Sequence, residues 1–142
     1  MKFEDLETWQ AARRTVNAVY DLTRKGDISK DFGLRDQLQR ASVSVMTNIA
    51  EGFERTSPAE KLHFYNIARA SCGEVRSLLY VVEDNYPNSL EHLPLLRESV
   101  NSTGSLLSGL MASTRKHLIG KATGLIALLL LPATYLITHY SL

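Results

Sequence analysis

Apolar positions recur every three or four residues along most of this chain, the spacing that lays one face of an α-helix against a core. From Phe3 to Lys25 the repeating set is Leu6, Trp9, Ala12, Val16 and Val19. Gly26-Asp27 ends that segment, because glycine supplies a left-handed cap at little cost. A second segment starts near Asp31, carries Leu34, Leu38, Ala41, Val45 and Ile49, and ends between Gly52 and Thr56. Ser57-Pro58-Ala59-Glu60 has the composition of a helix start, with Ser57 as cap, Pro58 as first helical residue and Glu60 closing a capping box. The third segment carries Leu62, Tyr65, Ala68, Cys72, Val75, Leu79 and Val82. After a turn at Asn85 to Ser89, the fourth carries Leu93, Leu96, Val100, Thr103, Leu107 and Leu110. No period-two pattern competes. The spacing predicts an all-α fold, an antiparallel up-down-up-down four-helix bundle.

The third segment has more apolar surface than one seam needs. A second stripe runs Phe64, Ile67, Ser71, Leu78 and Val81, with Gly73 nearby to admit close packing. In a four-helix bundle no helix is central, so a helix apolar on two faces predicts burial against another subunit. A broad core face with some exposed apolar residues is the plainer alternative.

Composition adds a boundary. The 142 residues suit one ordinary domain, and the charged residues all lie in the first 121 positions. The chain therefore divides into a bundle at 1–121 and an apolar C-terminal tail at 122–142, read as a helical extension. The tail supports three readings: a membrane span, a packed helical segment, and a non-adapted extension that stays disordered or sticky. Residues 120–142 are about long enough to span a bilayer, with Arg115, Lys116 and Lys121 placed as cytoplasmic anchors. Pro132, Thr134, Thr138 and His139 weaken its second half, which favours instead a fifth helical segment packed in an assembly. The charged amino end shows no export signal, so the expectation is a cytoplasmic protein, or one held at the cytoplasmic face of a membrane by residues 122–142.

Short catalytic patterns occur on these helices without the companion residues their chemistry needs. Glu60-Lys61-Leu62-His63 matches half of a di-iron carboxylate site, and His92, His117 and His139 lack the glutamate three residues earlier that the second half requires. Gly104 and Gly109 are spaced as in a phosphate loop, but Leu110-Met111 replaces the Lys-Ser/Thr that loop uses. Ser113-Thr114-Arg115-Lys116 has an acylating-enzyme spacing without its companion motifs. Cys72 lies on the apolar seam, where a cysteine behaves as a small hydrophobe. The expectation is a non-enzymatic protein without catalytic, cofactor or metal residues. At the end of the second segment, Asn48 and Glu51 sit beside seam residues Val45 and Ile49. They are expected to form a half-buried hydrogen-bonded pair that fixes register, with a ligand or RNA contact as the alternative.

Three runs carry a resemblance. Phe3-Glu4-Asp5-Leu6-Glu7-Thr8-Trp9-Gln10, Phe32-Gly33-Leu34-Arg35-Asp36-Gln37-Leu38-Gln39-Arg40-Ala41 and Asn48-Ile49-Ala50-Glu51-Gly52-Phe53 resemble the bacterial four-helix-bundle family of 23S rRNA intervening-sequence proteins. So do His63 to Arg69 and Ser71 to Ser77 on the third helix. The resemblance covers about residues 3 to 115 and implies a ring-like homopentamer. Through related accessory proteins of diversity-generating retroelements, it also implies binding of RNA or of a ribonucleoprotein containing a reverse transcriptase. It further implies a basic surface assembled across subunits, for which Arg13, Arg14, Arg35, Arg40, Arg55, Arg69 and Arg76 are the leading candidates, with Arg24, Lys25, Arg115 and Lys116 beside them. Arginine suits phosphate because its planar fork donates two parallel hydrogen bonds. The net charge is only +1, however, and acidic residues are interleaved, so ordinary solvated ion pairs explain the same pattern. The family often has proline where this chain has Met46. Without that lost backbone donor, the second helix is expected to run straighter.

Overall fold

The computed structural model describes residues 1–129, with side chains through Gly120. Four helices make up the fold: α1 (Glu7–Thr23), α2 (Phe32–Glu54), α3 (Pro58–Asn85) and α4 (Leu93–Leu129). Each packs on its neighbour in the chain, and α4 closes back on α1. The result is the expected all-α, antiparallel up-down-up-down bundle. Leu38, Ile49, Leu79, Leu107 and the valines Val19, Val45, Val75, Val82 and Val100 are fully buried along its axis. Three hydroxyls meet between α1 and α4: Thr15 hydrogen-bonds Ser99 at 2.8 Å and Thr103 at 3.1 Å. Paired with each other, buried hydroxyls cost little and discriminate between helix registers.

The links depart from the periodic reading. Phe3–Asp5 is a separate 3-10 turn, and Leu6 is extended, so α1 begins only at Glu7. The turn is held by Phe3 edge-on to Trp9, with ring centroids 5.1 Å apart. Gly26 takes φ 57° and ψ −153°, a conformation few residues other than glycine adopt. The chain then makes a 3-10 turn at Asp27–Lys30, and Ile28 plugs the core from within this link. Asp31 caps α2 by accepting the Leu34 amide at 3.0 Å, and it also accepts the Tyr86 hydroxyl at 2.6 Å. One carboxylate thus ties the start of α2 to the residue after α3. These bonds to the ionised form, the Leu34 amide first, hold its pKa below the ordinary 3.8.

Two details of the helices are corrected. Ser57 makes no side-chain cap, so the expected capping box does not form, although Pro58 does open α3. In α4 the seam passes to Met111 and Thr114, both buried, while Leu110 is half-buried, because a straight helix drifts from a fixed three-four alternation. Met46 sits inside an unbroken α2, packed against the core. Among the described side chains Thr114 is the last buried one; Arg115 to Gly120 are exposed, and the helix continues through position 121 to Leu129. The change of composition therefore falls inside α4, not at a new helical segment. Among the described residues no helix is long and apolar enough to cross a membrane. The part of the proposed span after residue 129 lies outside the described residues.

Candidate nucleic-acid interface

The corner between α2 and α3 has three linking residues, Arg55 to Ser57, and is locked by two interleaved cation–aromatic contacts. The Arg55 guanidinium lies over Phe64 at 4.6 Å, and the Lys61 ammonium lies 5.4 Å from the Phe53 ring. Lys61 also donates to the Phe53 carbonyl at 2.6 Å, satisfying one of the orphan acceptors at the end of α2. Gly52 lies under Tyr65: a Cβ there would stand 2.5 Å from Tyr65 Cε1 and 3.2 Å from the Lys61 carbonyl oxygen. Tyr65 is itself buried, and burial pushes its phenol pKa up, so the hydroxyl stays protonated at neutral pH.

This geometry corrects the expected Asn48–Glu51 pair. Glu51 is exposed and pairs with Arg55. Asn48 donates backward to the Ser44 carbonyl at 2.8 Å and the Ser44 hydroxyl at 3.1 Å, and Ser44 meets Ser71 of α3 at 2.8 Å. Asn48 and Glu51 are three positions apart in the chain, but their side chains take different partners, Asn48 bonding Ser44 beside α3 and Glu51 pairing with Arg55 at the surface.

Most of the candidate arginines are occupied. Besides Arg55, Arg35 lies over Phe32 at 4.8 Å and donates to the Ser29 carbonyl, and Arg40 pairs with Asp36 at 2.9 Å. Arg13 lies 6.0 Å from the Trp9 ring, and Arg24 lies 5.3 Å from that of Tyr20. Among the described residues Arg14, Arg69 and Arg76 are exposed without an ion pair or hydrogen bond. Arg14 stands on α1, which packs against α2 and α4. Arg69 and Arg76 share one groove.

That groove lies between α3 and α4. One end, about 370 Å³, is lined by Arg69, Cys72, Arg76, Asn101, Gly104, Ser105 and Ser108. The other, about 430 Å³, shares Arg76 and Asn101 and adds Gly73, Ser77, Tyr80 and Arg97. No acidic residue is among those lining it. Gly73 and Gly104 leave its floor bare, since a Cβ at either would meet nothing within 4 Å. Arg97 lies over the Tyr80 ring at 4.6 Å and is held by Glu83 at 2.7 Å, an attachment that raises its pKa. Cys72 forms part of the inner wall, and burial pushes its thiol up to about 11, so it stays protonated at neutral pH. Two free cations, hydroxyl and amide groups and an exposed aromatic thus face one concave surface. Its thiol is protonated, and no acidic side chain lines it beside the serine hydroxyls.

Sequence reasoning singled out Arg69 and Arg76 but missed Tyr80, Arg97 and Asn101. A signal was present. Residues 69, 73, 76 and 80 follow a four-three-four spacing, and 97, 101, 104 and 108 repeat it on α4. These are polar faces one helical stripe away from the core, and only the antiparallel packing of α3 on α4 makes them one surface.

The second apolar stripe divides on inspection. Ser71 is buried within the protomer against Ser44, and Leu78 packs on the core, so neither is available to a partner. Phe64 is half-buried beneath Arg55. Ile67 and Val81 remain exposed, 37% and 41%, and are what is left of the proposed subunit face. Glu60 and His63 are both exposed at the first turns of α3. Among the described residues no three His, Cys, Asp or Glu side chains come together as a metal group.

The pattern of the 23S rRNA-intervening sequence proteins matches residues 4–109. The chain belongs to this family. The fold is also that of a protein of unknown function from the S23 ribosomal protein family of Bacteroides thetaiotaomicron, solved as a crystal structure. The two superimpose with a TM-score of 0.62 at 22% identity, over 73% of this chain and 94% of that one. No curated protein matches this chain significantly.

Membership in the 23S rRNA-intervening sequence family places both surfaces inside the shared region. The corner at Gly52 and the groove from Arg69 to Ser108 fall within residues 4–109, and the apolar end of α4 falls beyond it. In this member the run Asn48-Ile49-Ala50-Glu51-Gly52-Phe53 is a helix-corner device. Its polar members bond to the bundle's own side chains.

Proposed function

We propose that this 23S rRNA-intervening sequence protein acts by binding, not catalysis, as a cytoplasmic homo-oligomer that holds RNA or a ribonucleoprotein. The observation that supports this is the α3–α4 groove, where Arg69 and Arg76 stand without a counter-charge above a floor of Asn101, Ser105 and Ser108. A near-neutral chain has no bulk attraction for a polyanion, so contact depends on such a local patch and on its repetition. A homopentamer, the form that the family resemblance implies, would present five grooves to one strand and raise avidity without a stronger single contact.

Fluorescence anisotropy of labelled RNA over a salt series is the test. Arg69→Gln with Arg76→Gln is expected to weaken binding and to flatten the salt slope by roughly 0.7–0.9 for each phosphate contact removed. Unchanged affinity in that double variant overturns the assignment of the groove. Light-scattering mass of the full chain reports the oligomer.

The length of α4 favours a second reading, a structural or membrane-tethered assembly protein. The helix runs on roughly 22 Å from Thr114 to Leu129, and its side chains from Arg115 to Gly120 are exposed. If the full chain requires detergent while a chain ending at Lys121 is a clean monomer, that reading replaces the first.

A further inference from the structure

We infer that the RNA held in the α3–α4 groove is single-stranded, with its phosphates on Arg69 and Arg76 and a base stacked at Tyr80. This rests on the RNA-binding reading above and adds the state of the strand. Tyr80 is 59% exposed near the end of α3, a large aromatic on the helix face that turns away from the core. Its ring is oriented from one side by Arg97, which Glu83 holds with two hydrogen bonds, at 2.7 and 3.4 Å. An oriented aromatic with a guanidinium at its face is a stacking platform that every base can use, because every base has a π-face.

Geometry favours a strand over a duplex. Paired bases are stacked on one another and offer no free face to an aromatic side chain, whereas unpaired bases can be splayed out onto one. Packed helices lie roughly 8–10 Å apart, so a groove between two of them admits one chain, and a duplex would rest on the rims. Along α3, Arg69 and Tyr80 are separated by about 16 Å of helix, room for roughly four stacked nucleotides. The bare positions at Gly73 and Gly104 let the backbone reach the floor. There Ser77, Asn101, Ser105 and Ser108 offer donors and acceptors to ribose hydroxyls and base edges.

The experiment compares a short labelled oligouridine, the same strand annealed to its complement, and the same strand with abasic positions, each titrated with the full chain. The single strand is expected to bind about tenfold or more tightly than the duplex or the abasic strand. Tyr80→Ala is expected to weaken the single strand about tenfold and leave the duplex unchanged, whereas Tyr80→Phe keeps the stacking surface and the affinity. Because Tyr80 is exposed, these variants should keep the mass and helicity of the parent. If single strand and duplex bind alike and Tyr80→Ala changes neither, the strand assignment is wrong. In that case loss of both ligands in Arg69→Gln/Arg76→Gln would leave the groove itself standing. If no RNA form binds, the inference falls together with the functional reading.

Discussion

The corner between α2 and α3 and the groove between α3 and α4 are both built around glycine, and they use it in opposite ways. At the corner, Gly52 is required by its surroundings: Tyr65 and the Lys61 carbonyl fill the space a Cβ would take. In the groove, Gly73 and Gly104 have nothing above them within 4 Å, so the protomer gains no packing from them and loses helix propensity. The arginines divide in the same way. Arg55 at the corner is engaged by Glu51 and Phe64, while Arg69 and Arg76 in the groove are unengaged. A glycine or an arginine in this fold is thus read by what its neighbours already satisfy. The corner engages its charges and rings within the protomer, with only the buried Arg55 Nε left without a hydrogen bond among the described side chains, and the groove is open to a partner.

The largest expected effect tests the corner. Gly52→Ala should destabilise the bundle by about 1–3 kcal/mol in urea unfolding, because the added Cβ meets the buried Tyr65 ring. The same change in a Tyr65→Leu background should cost less, since removing the ring removes the clash. Equal costs in the two backgrounds would mean that Tyr65 is not the obstacle.

A functional contrast comes next. Arg55→Ala should lower stability by about 1 kcal/mol through its lost aromatic and ionic contacts, with RNA affinity kept. Arg69→Gln should do the reverse. If Arg55→Ala weakens RNA binding as much as Arg69→Gln does, the corner is part of the interface and the contrast collapses.

Gly73→Ala and Gly104→Ala should each raise stability, by about 0.5–1 kcal/mol, at sites where the protomer has room. A loss of stability at either, together with a lower light-scattering mass, would show that a second subunit packs into the groove.

The smallest effect concerns pH. Asp31 is ionised and bonded in the folded state, with its pKa below 3.8, so the stability it contributes is present above that value and is lost as pH falls through the lowered one. Tyr86→Phe removes the bond that ties Asp31 to the end of α3 and should flatten the acid limb of the stability profile. An unchanged acid limb would assign it to other carboxylates.

How much of this was legible in the sequence follows from which interactions are local. The seam residues from Leu34 to Leu107 were readable because a helix repeats every 3.6 residues and a core demands apolar side chains at that interval. Ile28 was not, because a buried residue in a 3-10 link has no period to announce it. The loss of the Ser57 cap and the separation of Asn48 from Glu51 were hidden for a related reason. Asn48 and Glu51 each had more than one partner within a turn and took Ser44 and Arg55, and Ser44 is itself held by Ser71 of α3. Of the basic candidates, Arg40 has an acid one turn before it and Arg69 has none within a turn, but whether a carboxylate from another helix reaches Arg69 was not legible in the sequence. Asp36 lies one turn before Arg40 and takes it, while Arg69 faces α4 and meets no carboxylate.

Local periodicity and turn chemistry, then, determined by themselves that this chain is helical, where its four helices run and that they pack as a bundle, because those properties depend on neighbours within a few residues. Only the tertiary structure decided which glycine is clamped and which is bare, which arginine is spent and which is free. It also decided that Tyr80 and Arg97, distant in the chain, stand together at one end of a groove. Each of those outcomes depends on a side chain from another helix, whose approach is set by the packing of the whole core.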